Sequence, residues 1–150
     1  MTNVIDYYMK EAALHLDRMT EARGKIEHLL PITPGKIEGF SFEELAAIEM
    51  YTSRFCKLQD LLGAKIFPEI LNIYGENIQE LFFIDRLNRL EKMGVIESAQ
   101  EWVYMRKLRN QFAHEYPDMP EFLANNLNIA FDFDTKLIDC LRTIEKLLKK

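Results

Sequence analysis

Ser41-Phe42-Glu43-Glu44-Leu45-Ala46-Ala47-Ile48-Glu49-Met50-Tyr51-Thr52-Ser53-Arg54-Phe55-Cys56-Lys57-Leu58-Gln59-Asp60-Leu61-Leu62 is the stretch whose periodicity settles the class of fold. Ser41 with Glu44 three residues later has the form of a capping box, in which a hydroxyl and a carboxylate satisfy backbone donors left free at a helix start. Beyond it Leu45, Ile48, Tyr51, Phe55, Leu58 and Leu62 recur every three or four positions, the spacing of one helical face. Pro68 cannot donate to a helical ladder, so a kink or an end is expected near Phe67.

The same period extends on both sides. Upstream, from about Asp6 to Leu30, the stripe is Tyr8, Ala12, His15, Met19, Ala22, Ile26 and Leu29 or Leu30; it stops at Pro31-Ile32-Thr33-Pro34-Gly35. Downstream, a helix is expected over roughly Asn77 to Met93, with Ile78, Leu81, Phe82, Ile84, Leu87 and Leu90 on its apolar face and Gly94 as a left-handed cap. Ser98-Ala99-Gln100-Glu101 is a second capping box, opening a helix that should last to Pro117. A last helix runs from about Glu121, with Ile129, Phe133, Leu137, Leu141, Ile144 and Leu148 on one face, and Lys146, Lys149 and Lys150 suit the negative end of its dipole. No repeat, low-complexity tract or linker interrupts the pattern. The expectation is therefore all-α: one domain over residues 1–150, an antiparallel four- to five-helix bundle.

Composition agrees with that size. An apolar content of 48% in 150 residues supplies one substantial core, whereas two domains would each be thinly cored. No apolar run approaches the roughly 20 residues of a membrane span, and Met1-Thr2-Asn3-Val4-Ile5-Asp6 lacks the basic-then-apolar order of a secretion signal, so a cytoplasmic, membrane-free protein is expected. Cys56 and Cys140 form no CxxC pattern and are expected to be buried free thiols, with no structural metal and no cofactor. His15 and His28 sit in an amphipathic segment without a second ligand at metal spacing, and both are expected to be structural. A net charge of −5 argues against coating nucleic acid non-specifically; a small basic site for a few nucleotides remains compatible with it.

The densest chemistry lies in Trp102-Val103-Tyr104-Met105-Arg106-Lys107-Leu108-Arg109-Asn110-Gln111-Phe112-Ala113-His114-Glu115-Tyr116-Pro117. Trp102, Met105, Arg109, Phe112 and Tyr116 fall on one stripe, which sets a guanidinium where periodicity asks for an apolar group. A charge there must find a partner: an acid such as Asp85, Glu80 or Asp60, a carbonyl cluster, a subunit interface or an anionic ligand. His114 lies about 140° around the helix from Arg109, so the two converge only if the last turn unwinds before Pro117 or if a second subunit brings its own copy alongside. In the plainer reading Arg109 is an ion-pair partner, His114 a helix C-terminal cap and Tyr116 an edge aromatic.

Arg109-Asn110-Gln111-Phe112-Ala113-His114-Glu115-Tyr116 is R-N-x-x-x-H-x-Y. It resembles the R-x4-H signature of the HEPN ribonucleases in the longer form, R-x4-H-x-Y, of HepT-like toxins, where it lies near the end of a late helix of a helical bundle. The stretch Tyr51 to Asp60 is also similar to the second-helix region of nucleotidyltransferase-associated HEPN proteins. The resemblance implies a metal-independent endoribonuclease toxin, acting as a symmetric homodimer with the motifs of both subunits lining one cleft. His114 would be the general base or acid, since it alone in the motif exchanges a proton near neutral pH. Arg109 would clamp the scissile phosphate and stabilise its added charge. Asn110 would orient His114 or the phosphate, and Arg54, Asp60, Arg106 and Lys107 would line the cleft, although a solvated helix face explains Arg106 and Lys107 equally well. The resemblance also implies a nucleotidyltransferase-type antitoxin as partner, with Tyr116 as acceptor of transferred AMP, which would block RNA at the cleft mouth.

Two alternatives stand beside this. One is a non-catalytic module of the same superfamily that binds a nucleotidyltransferase or presents its substrate. The other is a plain helical adaptor, in which Arg109 is sequestered in an ion pair within its own chain.

Overall fold

The computed structural model describes residues 3–113 and 120–150, and among them all regular structure is helical. The elements are α1 (Val4–Ile26), a 3-10 turn (Glu27–Leu29), α2 (Pro34–Glu38), α3 (Phe42–Leu61), a wide π turn (Leu62–Ile66), α4 (Phe67–Ile73), a 3-10 turn (Ile78–Glu80), α5 (Phe83–Lys92), α6 (Ala99–Ala113) and α7 (Pro120–Leu148). They pack as a helical bundle. α1 lies along α3, α6 lies between α3 and α7, and α5 packs on α4 and α6. No described helix is long and apolar enough to cross a membrane.

The start of α3 is as the sequence predicts. The Ser41 hydroxyl accepts from the Glu44 N–H at 3.1 Å, and the Glu44 carboxylate accepts from the Ser41 N–H at 2.9 Å. The second box is only half formed: Ser98 accepts from the Glu101 N–H at 3.2 Å, but Glu101 turns to the Lys136 ammonium at 2.6 Å, and Glu91 instead caps the Ala99 N–H at 3.0 Å. Gly94 adopts φ +79°, the left-handed cap expected of it.

Three details sharpen or correct these expectations. The irregularity expected near Phe67 is present, as a widened ladder rather than a break: regular α3 stops at Leu61, α4 starts at Phe67, and the Phe67 N–H reaches back five residues to the Leu62 carbonyl. Widening by one residue takes up the clash a proline ring makes with the carbonyl four residues earlier. The Asn77 to Met93 helix is interrupted after Glu80 and restarts at Phe83, with Phe82 80% exposed and only Leu87 and Leu90 buried. Finally, α2 was not anticipated. It starts at a Thr33 cap followed by Pro34, and its loop is clasped to α7 by Asn128, which accepts from the Ile32 N–H at 2.8 Å and donates to the Ile32 carbonyl at 2.9 Å.

The core face of α7 is Ala124, Leu127, Phe131, Asp134, Leu137, Leu141 and Ile144, so Ile129, Phe133 and Leu148 lie at its margin rather than at its centre. Asp134, 2% exposed, is the polar member of that stripe. It accepts from Tyr51 of α3 at 3.0 Å and forms a short ion pair with Arg23 of α1, whose guanidinium also covers the Phe131 ring at 4.6 Å. Burial pushes the Asp134 carboxyl above its ordinary range, and the Arg23 and Tyr51 bonds counter part of that shift. Tyr51 also stacks on Phe131, ring centres 4.6 Å apart. Breaking one side of a buried pair costs about 3 kcal/mol or more. Asp134→Ala is accordingly expected to lower the unfolding free energy by about 3 kcal/mol, read as a lower urea midpoint at unchanged slope.

His15 is buried on α1. Arg54 of α3 points its Nη1 at the His15 Nδ1, 3.0 Å away. A guanidinium can only donate, so Nδ1 is the acceptor and the ring proton sits on Nε2, 3.8 Å from Glu11. Burial first, then the Arg54 charge, hold this histidine below its ordinary 6.5. Below pH 6.5 the unfolded chain therefore takes up a proton that the folded chain refuses, and stability must fall as the pH drops through that window. Unfolding midpoints compared at about pH 7.5 and about pH 5.5 should fall more for the native chain than for His15→Gln.

Candidate functional site

Arg109 lies in the last turns of α6, beside the C-terminal part of α3. Its Nε donates to Asp60 Oδ1 at 2.8 Å and its Nη2 to Oδ2 at 2.7 Å, a two-bond fork. Of the acids that periodicity offered as partners, Asp60 is the one used. The pair is within the chain but not sequestered: the Arg109 side chain retains 29% of its exposure and that of Asp60 52%. The hydrogen bonds it donates to Asp60 raise the already high pKa of the guanidinium. An ion pair this exposed contributes on the order of 0–1 kcal/mol, so stability alone gives little reason for an arginine on this stripe. The remaining nitrogen, Nη1, makes among the described residues only a long 3.5 Å contact to Asn110 Oδ1.

Two further contacts fix the backbone here. The Cys56 thiol of α3 points at the Arg109 carbonyl, 3.6 Å away, and Phe112 meets Phe55 edge-on, ring centres 5.7 Å apart. Burial pushes the Cys56 thiol up to about 11 and the Cys140 thiol up to about 12, so both are protonated free thiols and neither is a nucleophile near neutral pH.

The anticipated cleft residues separate into two groups. Arg109, Asn110, Asp60 and Arg106 share one side of the α3–α6 contact. Arg106 lays its guanidinium over the Phe83 ring at 4.3 Å and, with Asp60, lines a pocket of about 570 Å³ beside the wide turn. Arg54 belongs elsewhere, turned to His15 of α1, and Lys107 is exposed on α6. His114 and Tyr116 lie outside the described residues. Among the described residues no three His, Cys, Asp or Glu side chains converge as a metal site would require.

The pocket holds two groups that motif reading passes over. Gln59 is 3% exposed, yet among the described residues neither its amide oxygen nor its amide nitrogen has a hydrogen-bond partner. Arg86 of α5 donates from Nη2 to the Ile78 carbonyl at 2.7 Å, while its buried Nε has no partner among the described residues. Leaving a buried polar group unpaired costs about 1–3 kcal/mol, so these orphans are expensive. The sequence did carry a signal for Gln59: it stands four residues after Phe55 and three before Leu62, a polar side chain in the apolar phase of α3. A smaller cavity of about 190 Å³ lies between the α5–α6 connection and α7, away from Arg109. Comparison of the chain with protein-family models, with curated proteins and with solved structures finds no match.

Proposed function

We propose that the chain is a metal-independent endoribonuclease of the HEPN type, acting as a homodimer and restrained by a nucleotidyltransferase antitoxin. The observation that carries this reading is the state of Arg109: a guanidinium aligned by a two-bond carboxylate fork, partly exposed, with Nη1 turned away from Asp60. It stands at the head of R-N-x-x-x-H-x-Y.

The chemistry requires little else. His114 takes the proton of a ribose 2′-hydroxyl; the oxygen attacks the adjacent phosphorus, and the bond to the 5′-oxygen breaks as that oxygen regains a proton. The products are a 2′,3′-cyclic phosphate and a 5′-hydroxyl. Arg109 neutralises the charge that builds on the non-bridging oxygens, and Asn110 orients the histidine or the phosphate. Asp60 does not touch the substrate in this scheme; it holds the guanidinium in line. In the dimer two copies of the motif share one cleft, and transfer of AMP to Tyr116 fills its mouth with negative charge.

A second reading, a non-catalytic module that docks the nucleotidyltransferase, draws on the same pair, because Asp60 competes with any phosphate for Arg109. Incubation of cellular RNA with the purified chain in EDTA separates the two. Cleavage is expected to survive chelation, to leave cyclic-phosphate ends, and to fall by about 10²-fold or more in Arg109→Ala and in His114→Ala. Asp60→Asn, which misplaces the guanidinium without removing it, should cost up to about 10²-fold in kcat with an unchanged melting temperature. Absence of cleavage by a folded, unmodified dimer would transfer the assignment to the docking module.

A further inference from the structure

We infer that Arg106 makes a second phosphate contact, holding the RNA phosphate next to the one clamped at Arg109. The inference rests on the ribonuclease reading for the polymer and the place of cleavage, and it adds a residue to which that scheme gives no step.

Three observations carry it. The first is placement. Arg106 and Arg109 are three residues apart on α6, which sets them on one side of the helix, about 4.5 Å apart along its axis. Their heads then diverge onto two different helices. Arg109 is held by Asp60 of α3, Arg106 lies over the Phe83 ring of α5, and Asp60, Phe83 and Arg106 line one pocket. A strand whose scissile phosphate meets Arg109 on the α3 side, and which runs on across the rim of that pocket, comes next to Arg106.

The second observation is that Arg106 is not neutralised. The chain carries 24 acidic residues against 19 lysines and arginines, and Arg18, Arg23, Arg89 and Arg109 each take a carboxylate. Arg106 is exposed, and among the described residues its guanidinium makes no ion pair and no hydrogen bond.

The third is that Arg106 is nonetheless held. Its Cζ stands 4.3 Å from the centre of the Phe83 ring, and the attraction of a ring face for a cation uses no lone-pair acceptor. A planar fork fixed in this way matches a phosphate, whose oxygens accept from it in pairs. Lys107, exposed on the same helix, is turned about 100° from Arg106 and has no such support among the described residues. Phosphate contacts set register and read no base, so Arg106 adds affinity without sequence preference.

The full chain is tested on a dinucleotide with one cleavable phosphodiester, made without a terminal phosphate, with a 5′-phosphate and with a 3′-phosphate. One of the two terminal phosphates is expected to raise kcat/KM by about tenfold or more, whichever bases are used. In Arg106→Ala that gain should shrink to about twofold or less. Arg106→Gln, which keeps the stem over the ring, should lose it likewise, and is read alone if the alanine variant does not fold. Lys107→Ala removes an equal charge from the neighbouring face; an equal loss of the gain there would reduce the effect to net charge and overturn the inference. Cleavage indifferent to both terminal phosphates rejects the Arg106 contact and leaves the nuclease standing. A gain that survives in Arg106→Ala also overturns the inference, and frees Arg106 for an acidic protein partner.

If no dinucleotide is cut, the nuclease reading fails and binding decides the contact. A short RNA with every 2′-hydroxyl methylated is titrated at several salt concentrations, followed by the fluorescence of Trp102, the single tryptophan of the chain, which lines the pocket with Arg106. A log–log salt slope that falls by about one in Arg106→Ala supports the phosphate contact; an unchanged slope, or no saturable binding, overturns it.

Discussion

A buried carboxylate fixes how the three longest helices meet. Asp134 cannot remain charged at 2% exposure without donors, and it draws them from two other elements, Arg23 on α1 and Tyr51 on α3. Apolar stripes would tolerate sliding by a turn; a phenol and a guanidinium aimed at one carboxylate would not. Buried ion pairs are often matched in net stability by apolar packing of equal volume, so the contribution here is best understood as register. That register matters at a distance. Nine residues separate Tyr51 from Asp60, about 13 Å along α3 at 1.5 Å per residue, so a slip of α3 at the buried carboxylate would carry Asp60 out of reach of Arg109.

The helical class and most of the helix starts were legible because they depend on local spacing and local capping. What the sequence left ambiguous was phase. On α7, Ile129, Phe133 and Leu148 are apolar enough to suggest a face, but the true face runs through Asp134, and only the donors on α1 and α3 make a carboxylate acceptable there. The segment Asn77 to Met93 looks helical throughout because it is rich in apolar residues, yet Ile78 packs from a 3-10 turn that stops at Glu80 and Phe82 faces solvent. Periodicity counts apolar side chains; it does not report whether a neighbour exists to cover them.

The candidate site divides in the same way. Arg109 was identifiable as a charge in an apolar phase, and Asp60 as one of three acids able to meet it; choosing among the three required the packing of α6 on α3. Arg54, equally plausible in sequence, is spent on His15, a pairing set by the α1–α3 contact and invisible in linear spacing. Gln59 and Arg86 belong to no motif at all. Their interest lies in what they lack, and an unsatisfied hydrogen bond is a property only of three-dimensional surroundings.

The pocket that gathers these orphans is itself a consequence of one covalent constraint. Pro68 has no N–H, and its ring would collide with the carbonyl one turn back in a regular α-helix. The chain answers by opening the ladder over Leu62–Ile66, and that wide turn gives the pocket the small side of its wall, Gly63 and Ala64. A Cβ on Gly63 would come within 3.9 Å of the Trp102 Nε1, ordinary contact distance, so the room depends less on the missing methyl than on the displaced backbone. A π turn within a helix forgoes regular hydrogen bonds and is kept where it serves a local need. Here it lets α3 run on into α4 without a break, preserves the register set at Asp134, and still opens a polar volume directly beside the carboxylate that aligns Arg109.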